Sequence, residues 1–183
     1  LSLFDIEDQA WEQLAVYNHP ISNVRFSPDG RYVAFESDEI STSGIQLINM
    51  DNRETISIVD LQLNDLVIDY AFDPQSSLIA ISNGNYGYEG HSFWGISVWR
   101  IWDQSLQAVT EHGILAASVM FAETADELRF VTYDTQLSIW NYQTGVISAI
   151  RRFFDAGLND PLNRLSFAYQ PDYLLAVLDR IRS

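Results

Sequence analysis

Four phenylalanines recur along this 183-residue chain at positions 26, 72, 121 and 167, so the spacings are 46, 49 and 46 residues. Each closes a segment of the shape apolar–x–x–Phe or a near variant: Val24-Arg25-Phe26, Asp69-Tyr70-Ala71-Phe72, Ser118-Val119-Met120-Phe121 and Arg164-Leu165-Ser166-Phe167. A fixed period in this range marks an array of like supersecondary units. Each unit is too small to bury its own apolar face, so it must stack on the next.

The interior of each unit reads as strand. Three of the phenylalanines precede Pro-containing turns, Ser27-Pro28-Asp29-Gly30, Asp73-Pro74-Gln75-Ser76 and Gln170-Pro171-Asp172. Proline pre-sets the turn dihedral and Asp-Gly completes a tight reversal, which halts the strand. Second strands are predicted at Tyr32–Phe35, Leu78–Ile81, Leu128–Val131 and Tyr173–Leu178. Third strands alternate apolar and polar residues at Leu1–Asp5, Ile45–Asn49, Ile96–Arg100 and Leu137–Asn141, the period of a half-buried strand. Weaker fourth strands follow at Trp11–Val16, Glu54–Val59, Leu106–Val109 and Val146–Ile150. No segment of about ten residues or more carries a 3.6-residue period. The chain is therefore predicted to be all-β, built from β-propeller blades of four antiparallel strands.

Laid out this way, residues 1–19 supply the third and fourth strands of a partial blade, and 20–62 form a blade. Residues 63–112 form a blade with a long 83–95 loop, 113–156 form another, and 157–183 hold the first strands of a further partial blade. About four blades are covered, fewer than the roughly seven of a common propeller, so the expectation is a segment of a larger ring; the alternative is a four-bladed ring in which the N-terminal strand pair completes the C-terminal one.

Two stretches resemble the WD40-repeat family. Asn23 to Phe35 looks like that family's first two strands and their hairpin, and Tyr133 to Asn141 like its second turn and third strand. The repeats are degenerate: no Gly-His precedes a first strand, and the Trp-Asp position reads Phe-Asp, Ile-Asn, Trp-Arg and Trp-Asn. The resemblance implies a buried hydrogen-bond network with Asp134 and Trp140 at matching positions and His112 ahead of the same blade's first strand. It also implies a non-catalytic scaffold or sensor that holds a protein partner or another domain of its own chain. The Ser-Pro-Asp-Gly turn is shared with TolB-like propellers, the second choice.

Composition narrows the partners. A formal net charge of -15 argues against nucleic acid and anionic membrane, which both require a positive footprint. All ten basic residues are Arg, and there is no Cys, which removes disulfides and thiolate metal sites and favours a cytoplasmic setting. No apolar run reaches the roughly 18–20 residues of a membrane-spanning helix, and residues 1–12 lack the positive start of a signal peptide. No phosphate-binding loop, dinucleotide fingerprint or Gly-x-Ser-x-Gly elbow is present, so no cofactor is expected.

On a propeller, the loops from second to third strands and from fourth strands to the next blade gather on one face, where a rigid scaffold presents binding residues. The 83–95 stretch places Tyr86, Tyr88, His91, Phe93 and Trp94 there among four glycines. Large aromatics with few rotatable bonds are what interaction hot spots favour, which makes these five the candidate partner-binding residues. His19, His91 and His112 lack neighbours at ligand spacing, so no metal site is expected. Arg151-Arg152 at a strand end has the chemistry to clamp a carboxylate or phosphate. Trp99, Trp102 and Trp140 follow strand periodicity and are expected in the core. The reading is an interaction module and not an enzyme. The alternative is the propeller segment of a hydrolase or peptidase with Asp38, Asp69 and Asp134 as channel carboxylates.

Overall fold

Alternating apolar residues bounded by turn formers become sixteen strands, with no helix among the described residues. The computed structural model describes residues 1–37, 44–58, 65–85, 95–110, 113–124, 126–152, 164–170 and 173–179, with backbone alone at 65, 66, 85, 164–170 and 173–179. The chain forms two compact units, Leu1–Leu63 and Asn64–Ser183.

The first unit holds the hairpin β1 (Ser2–Asp5) and β2 (Ala10–Gln13), then a sheet of β3 (Ile21–Phe26), β4 (Tyr32–Ser37), β5 (Gly44–Asn49) and β6 (Thr55–Ile58). The hairpin is tied to that sheet by Arg53, whose Nη2 lies 2.8 Å from Oε1 of Glu12. Tyr17 packs on Phe35 with ring centroids 5.0 Å apart. Val33, Phe35, Ile45, Leu47, Ile48 and Ile58 form the buried centre of the unit.

The second unit contains two four-stranded sheets. One is β7 (Asp65–Phe72), β8 (Leu78–Asn85), β9 (Gly95–Arg100) and β10 (Leu106–Val109). The other is β11 (Ala116–Phe121), β12 (Glu127–Thr132), β13 (Gln136–Asn141) and β14 (Val146–Arg152), followed by the hairpin β15 (Arg164–Gln170) and β16 (Tyr173–Asp179). All pairings are antiparallel between sequential strands, and the first strands are neighbours, β7 beside β11 and β11 beside β15. Between the two sheets lies one apolar cluster: Ala80, Ile96 and Val98 from one side, and Val119, Phe121, Leu128, Phe130, Trp140 and Tyr142 from the other.

Turn chemistry repeats with the strands. In the hairpins after β3 and β7, a side chain holds the reversal: the amide of Tyr32 donates to Ser27 Oγ at 2.9 Å, and that of Leu78 to Asp73 Oδ1 at 2.6 Å. Asp73 is fully buried in this role. In the hairpin after the third strand, Asp5, Asn49 and Asn141 accept from amides two or three residues on, as Asx turns do. Four residues beyond that position, Gln9, Arg53, Gln104 and Gly145 all adopt positive φ, at 51°, 62°, 55° and 77°. The fourth strand can turn back only through a left-handed residue, yet glycine occupies just one of the four places.

Two expectations change in extent. The second strand predicted to end at Ile81 runs on as β8 to Asn85, because Asn83, Gly84 and Asn85 pair with Val67, Leu66 and Asp65. The long connection is therefore 86–94 rather than 83–95. Trp102, expected in the core, sits in the β9–β10 turn at 71% exposure, because the strand ends at Arg100 and its periodicity with it.

Candidate functional site

The most specific polar arrangement lies between the sheets β7–β10 and β11–β14. A register shift between Val67 and Asp69 bulges β7 immediately before Asp69, and a second falls between Ala116 and Ser118 on β11. Bulges re-aim side chains. Asp69 Oδ2 accepts from Ser118 Oγ at 2.7 Å and from the amide of Val119 at 2.9 Å, with Asp69 and Ser118 both buried. Nearby, Ser82 Oγ donates to the carbonyl of Ala116 at 2.6 Å. Hydrogen bonds to a buried carboxylate are among the strong ones, so Asp69 clips one sheet to the next.

The end of the β11–β14 sheet that carries the β12–β13 turn is more open. Asp134 lies in that turn with its side chain 58% exposed, accepts from Thr132 Oγ1, and pairs with Nη2 of Arg152 at 2.7 Å. Trp140 is 2% exposed and packs edge-on against Tyr142 at 6.1 Å. Asp134 and Trp140 thus stand in different settings, one in solvent and one in the core. The arginine pair is divided as well: Arg152 is engaged by Asp134, while Arg151 is exposed.

Tyr86, Tyr88, His91, Phe93, Trp94, His112 and Asp38 lie outside the described residues. Of the three proposed channel carboxylates, Asp69 is committed to Ser118 and Val119, and Asp134 to Thr132 and Arg152. Among the described residues no group of three or more His, Asp or Glu is placed to hold a metal ion.

Two exposed features escaped the reading of the sequence. In the β9–β10 turn, the Arg100 guanidinium lies 5.7 Å from the Trp102 ring centroid and bonds Asp103 at 3.2 Å and Gln107 at 2.6 Å. Ser105 donates to Asp103, which with the nearby Arg100 holds that carboxyl below its usual range. The second feature is β14, every residue of which is exposed. Its run Val146-Ile147-Ser148-Ala149-Ile150 carries no charge, the one sequence signal that marks it.

No protein-family model matches the sequence, and no curated protein is similar to it. Among solved structures the chain is similar to an oligogalacturonate lyase in complex with manganese, with a TM-score of 0.68 and 15% identity over 92% of this chain. The fold is a β-propeller. The match takes in 47% of the lyase chain, so this chain spans about half the length of that propeller. The expectation that the chain is not an enzyme is corrected by this comparison, because the propeller it resembles belongs to a lyase. The propeller fold is thus no ground for excluding catalysis, since chemistry resides in sites grafted on a fold.

Proposed function

We propose that this chain is a TolB-like propeller module that binds a protein partner, or another domain of its own chain, through the loops at the strand 2–3 end of its blades. The observation that carries this reading is the connection from β8 to β9, residues 86–94, set against the short turn 133–135 at the same place in the next blade. The longer connection contains Tyr86, Tyr88, His91, Phe93 and Trp94, and it joins β8 to β9 in the sheet that the Asp69 clip holds firm. Aromatic side chains on a rigid base lose little entropy on binding. The TolB-like family is favoured over WD40 because Asp134, where WD40 repeats bury an aspartate, is exposed here. A cytoplasmic setting goes with this reading, in keeping with the absence of Cys.

Photoreactive residues at Tyr88 and Phe93, with Gln143 at the opposite end of the blades as control, test the reading in extracts of the source. A discrete adduct at 88 and 93 and none at 143 is expected. Equal yields at all three sites would refute it.

A second reading is favoured by the fold shared with oligogalacturonate lyase over 92% of the chain: the propeller portion of an enzyme acting on acidic oligosaccharides. The described residues do not provide a manganese site, so no step is drawn through that metal. Incubation with oligogalacturonate, with and without manganese, distinguishes the two readings, because only an active lyase leaves unsaturated sugar ends.

A further inference from the structure

The fourth strands are not alike. β2, β6 and β10 are four residues each, whereas β14 has seven. β6 turns Ile58 fully inward, while all of β14 is exposed, with Val146 at 57%, Ile147 at 40% and Ile150 at 52%. β14 ends its sheet in the order β11-β12-β13-β14, so among the described strands its outer edge is unpaired. Such edges are normally blunted by shortness, by proline, or by a charge in mid-strand. From Val146 to Ala149 none of these is present; a further such device, a β-bulge, falls beyond them at Ile150, where the register shifts between Ala149 and Arg151. Charge enters only at the C-terminal end, as Arg151 and Arg152. Arg152 is held by Asp134, and among the described residues Arg151 forms no ion pair.

We propose that the outer edge of β14 is a strand-addition site that takes an extended segment of a protein partner, apolar at alternate positions, with a carboxylate facing Arg151. An added strand satisfies the open backbone groups, and its alternate apolar side chains cover Val146 on one face of the edge while the residues between them meet Ile147 on the other. The carboxylate is required by local charge. The chain carries -15 overall, but at physiological salt fields decay over about 8 Å, so the arginine end of β14 sets the potential that a docking strand meets. An antiparallel segment places its N-terminal residues opposite that end. This proposal uses none of the aromatic residues proposed above, and loss of either reading leaves the other standing.

The test uses the whole chain and two synthetic peptides. In the first, two glutamates precede alternating threonine and valine; in the second, two lysines replace the glutamates. Fluorescence anisotropy reads binding, and amide exchange at 146–152 reads its location. The glutamate peptide is expected to bind about fivefold more tightly, the range of one exposed ion pair, with slowed exchange confined to β14. Arg151→Glu is expected to reverse the preference, and Ile150→Lys to weaken both peptides about tenfold, each variant keeping the parent far-UV spectrum. Three results overturn the proposal: affinities weaker than about 1 mM for both peptides, equal affinities, or protection of 146–152 that rises with protein concentration alone. The last would give the edge to a second copy of the chain.

Discussion

Two hairpins occupy the same place in the repeat and meet opposite fates. In β13–β14, the positions before and after the Asx residue are Trp140 and Tyr142, at 2% and 8% exposure. In β1–β2 the matching residues are Phe4 and Ile6, at 43% and 81%. The local turn is the same in both, with an Asx acceptor and a left-handed residue four places on. What differs is the hairpin of first and second strands alongside. Where it is present, the residue after the Asx position donates its amide to the turn of that hairpin: Met50 to Arg31, Ile101 to Ser77 and Tyr142 to Asp126, at 2.8, 3.0 and 3.3 Å. β1 and β2 pair only with each other. A side chain of the right kind in the right turn is therefore not yet a core residue; it becomes one when its own sheet and the next sheet enclose it.

The largest expected effect tests that contrast directly. Trp140→Ala should destabilise the chain by about 3–5 kcal/mol, the cost of a large buried aromatic, whereas Phe4→Ala should cost within about 1 kcal/mol. Urea unfolding of the two variants measures both, and equal losses would break the comparison. Next comes the polar seam between sheets. Asp69→Ala leaves the Ser118 hydroxyl and Val119 amide buried without their acceptor, and should cost about 2–3 kcal/mol. Asp69→Asn, which keeps an acceptor oxygen, should cost less. The same unfolding experiment ranks them.

The shared turn supplies a smaller effect. A Cβ at Gly145 would meet nothing within 4 Å, so Gly145→Ala bears only the cost of a left-handed φ of 77°, about 1 kcal/mol. Gln104→Gly relieves a left-handed φ of 55° at the matching place and should raise stability by about 0.5 kcal/mol. Thermal unfolding midpoints should move in opposite directions.

The smallest effect is in alkali. Burial lifts the Tyr142 hydroxyl above its ordinary value near 10, against a hydrogen bond with Gln143 that lowers it, while Asp126 and Asp73 add to the rise. The group is neutral more readily when folded than when unfolded. Its contribution is therefore complete below about pH 10 and is lost as pH climbs through the folded value. Stability of Tyr142→Phe, followed by denaturant titration across that range, should fall less steeply than that of the parent chain.

Much of the fold was legible because its rules are local. Pro28 and Pro74 mark first hairpins, and alternation from Ile45 to Asn49 and from Leu137 to Asn141 marks third strands. The extension of β8 to Asn85 was not legible, since Asn83 and Gly84 read as loop until Val67 and Leu66 pair with them. The candidate site was less readable still. Asp69 and Asp134 look alike in sequence, two acids near strand ends. One is buried against Ser118 and Val119, and the other stands in solvent beside Arg152. Trp140 and Trp102 divide in the same way, one in the core and the other in a turn.

The sequence by itself determined where strands begin, where they reverse and how often the pattern repeats, because residues within a few positions of one another settle those matters through backbone sterics and short-range hydrogen bonds. Only the tertiary structure decided which carboxylate became an inter-sheet clip, which tryptophan became core and which edge stayed open. The clip depends on a neighbour fifty residues away in the chain, one repeat on, and its burial is a property of the pair rather than of either member.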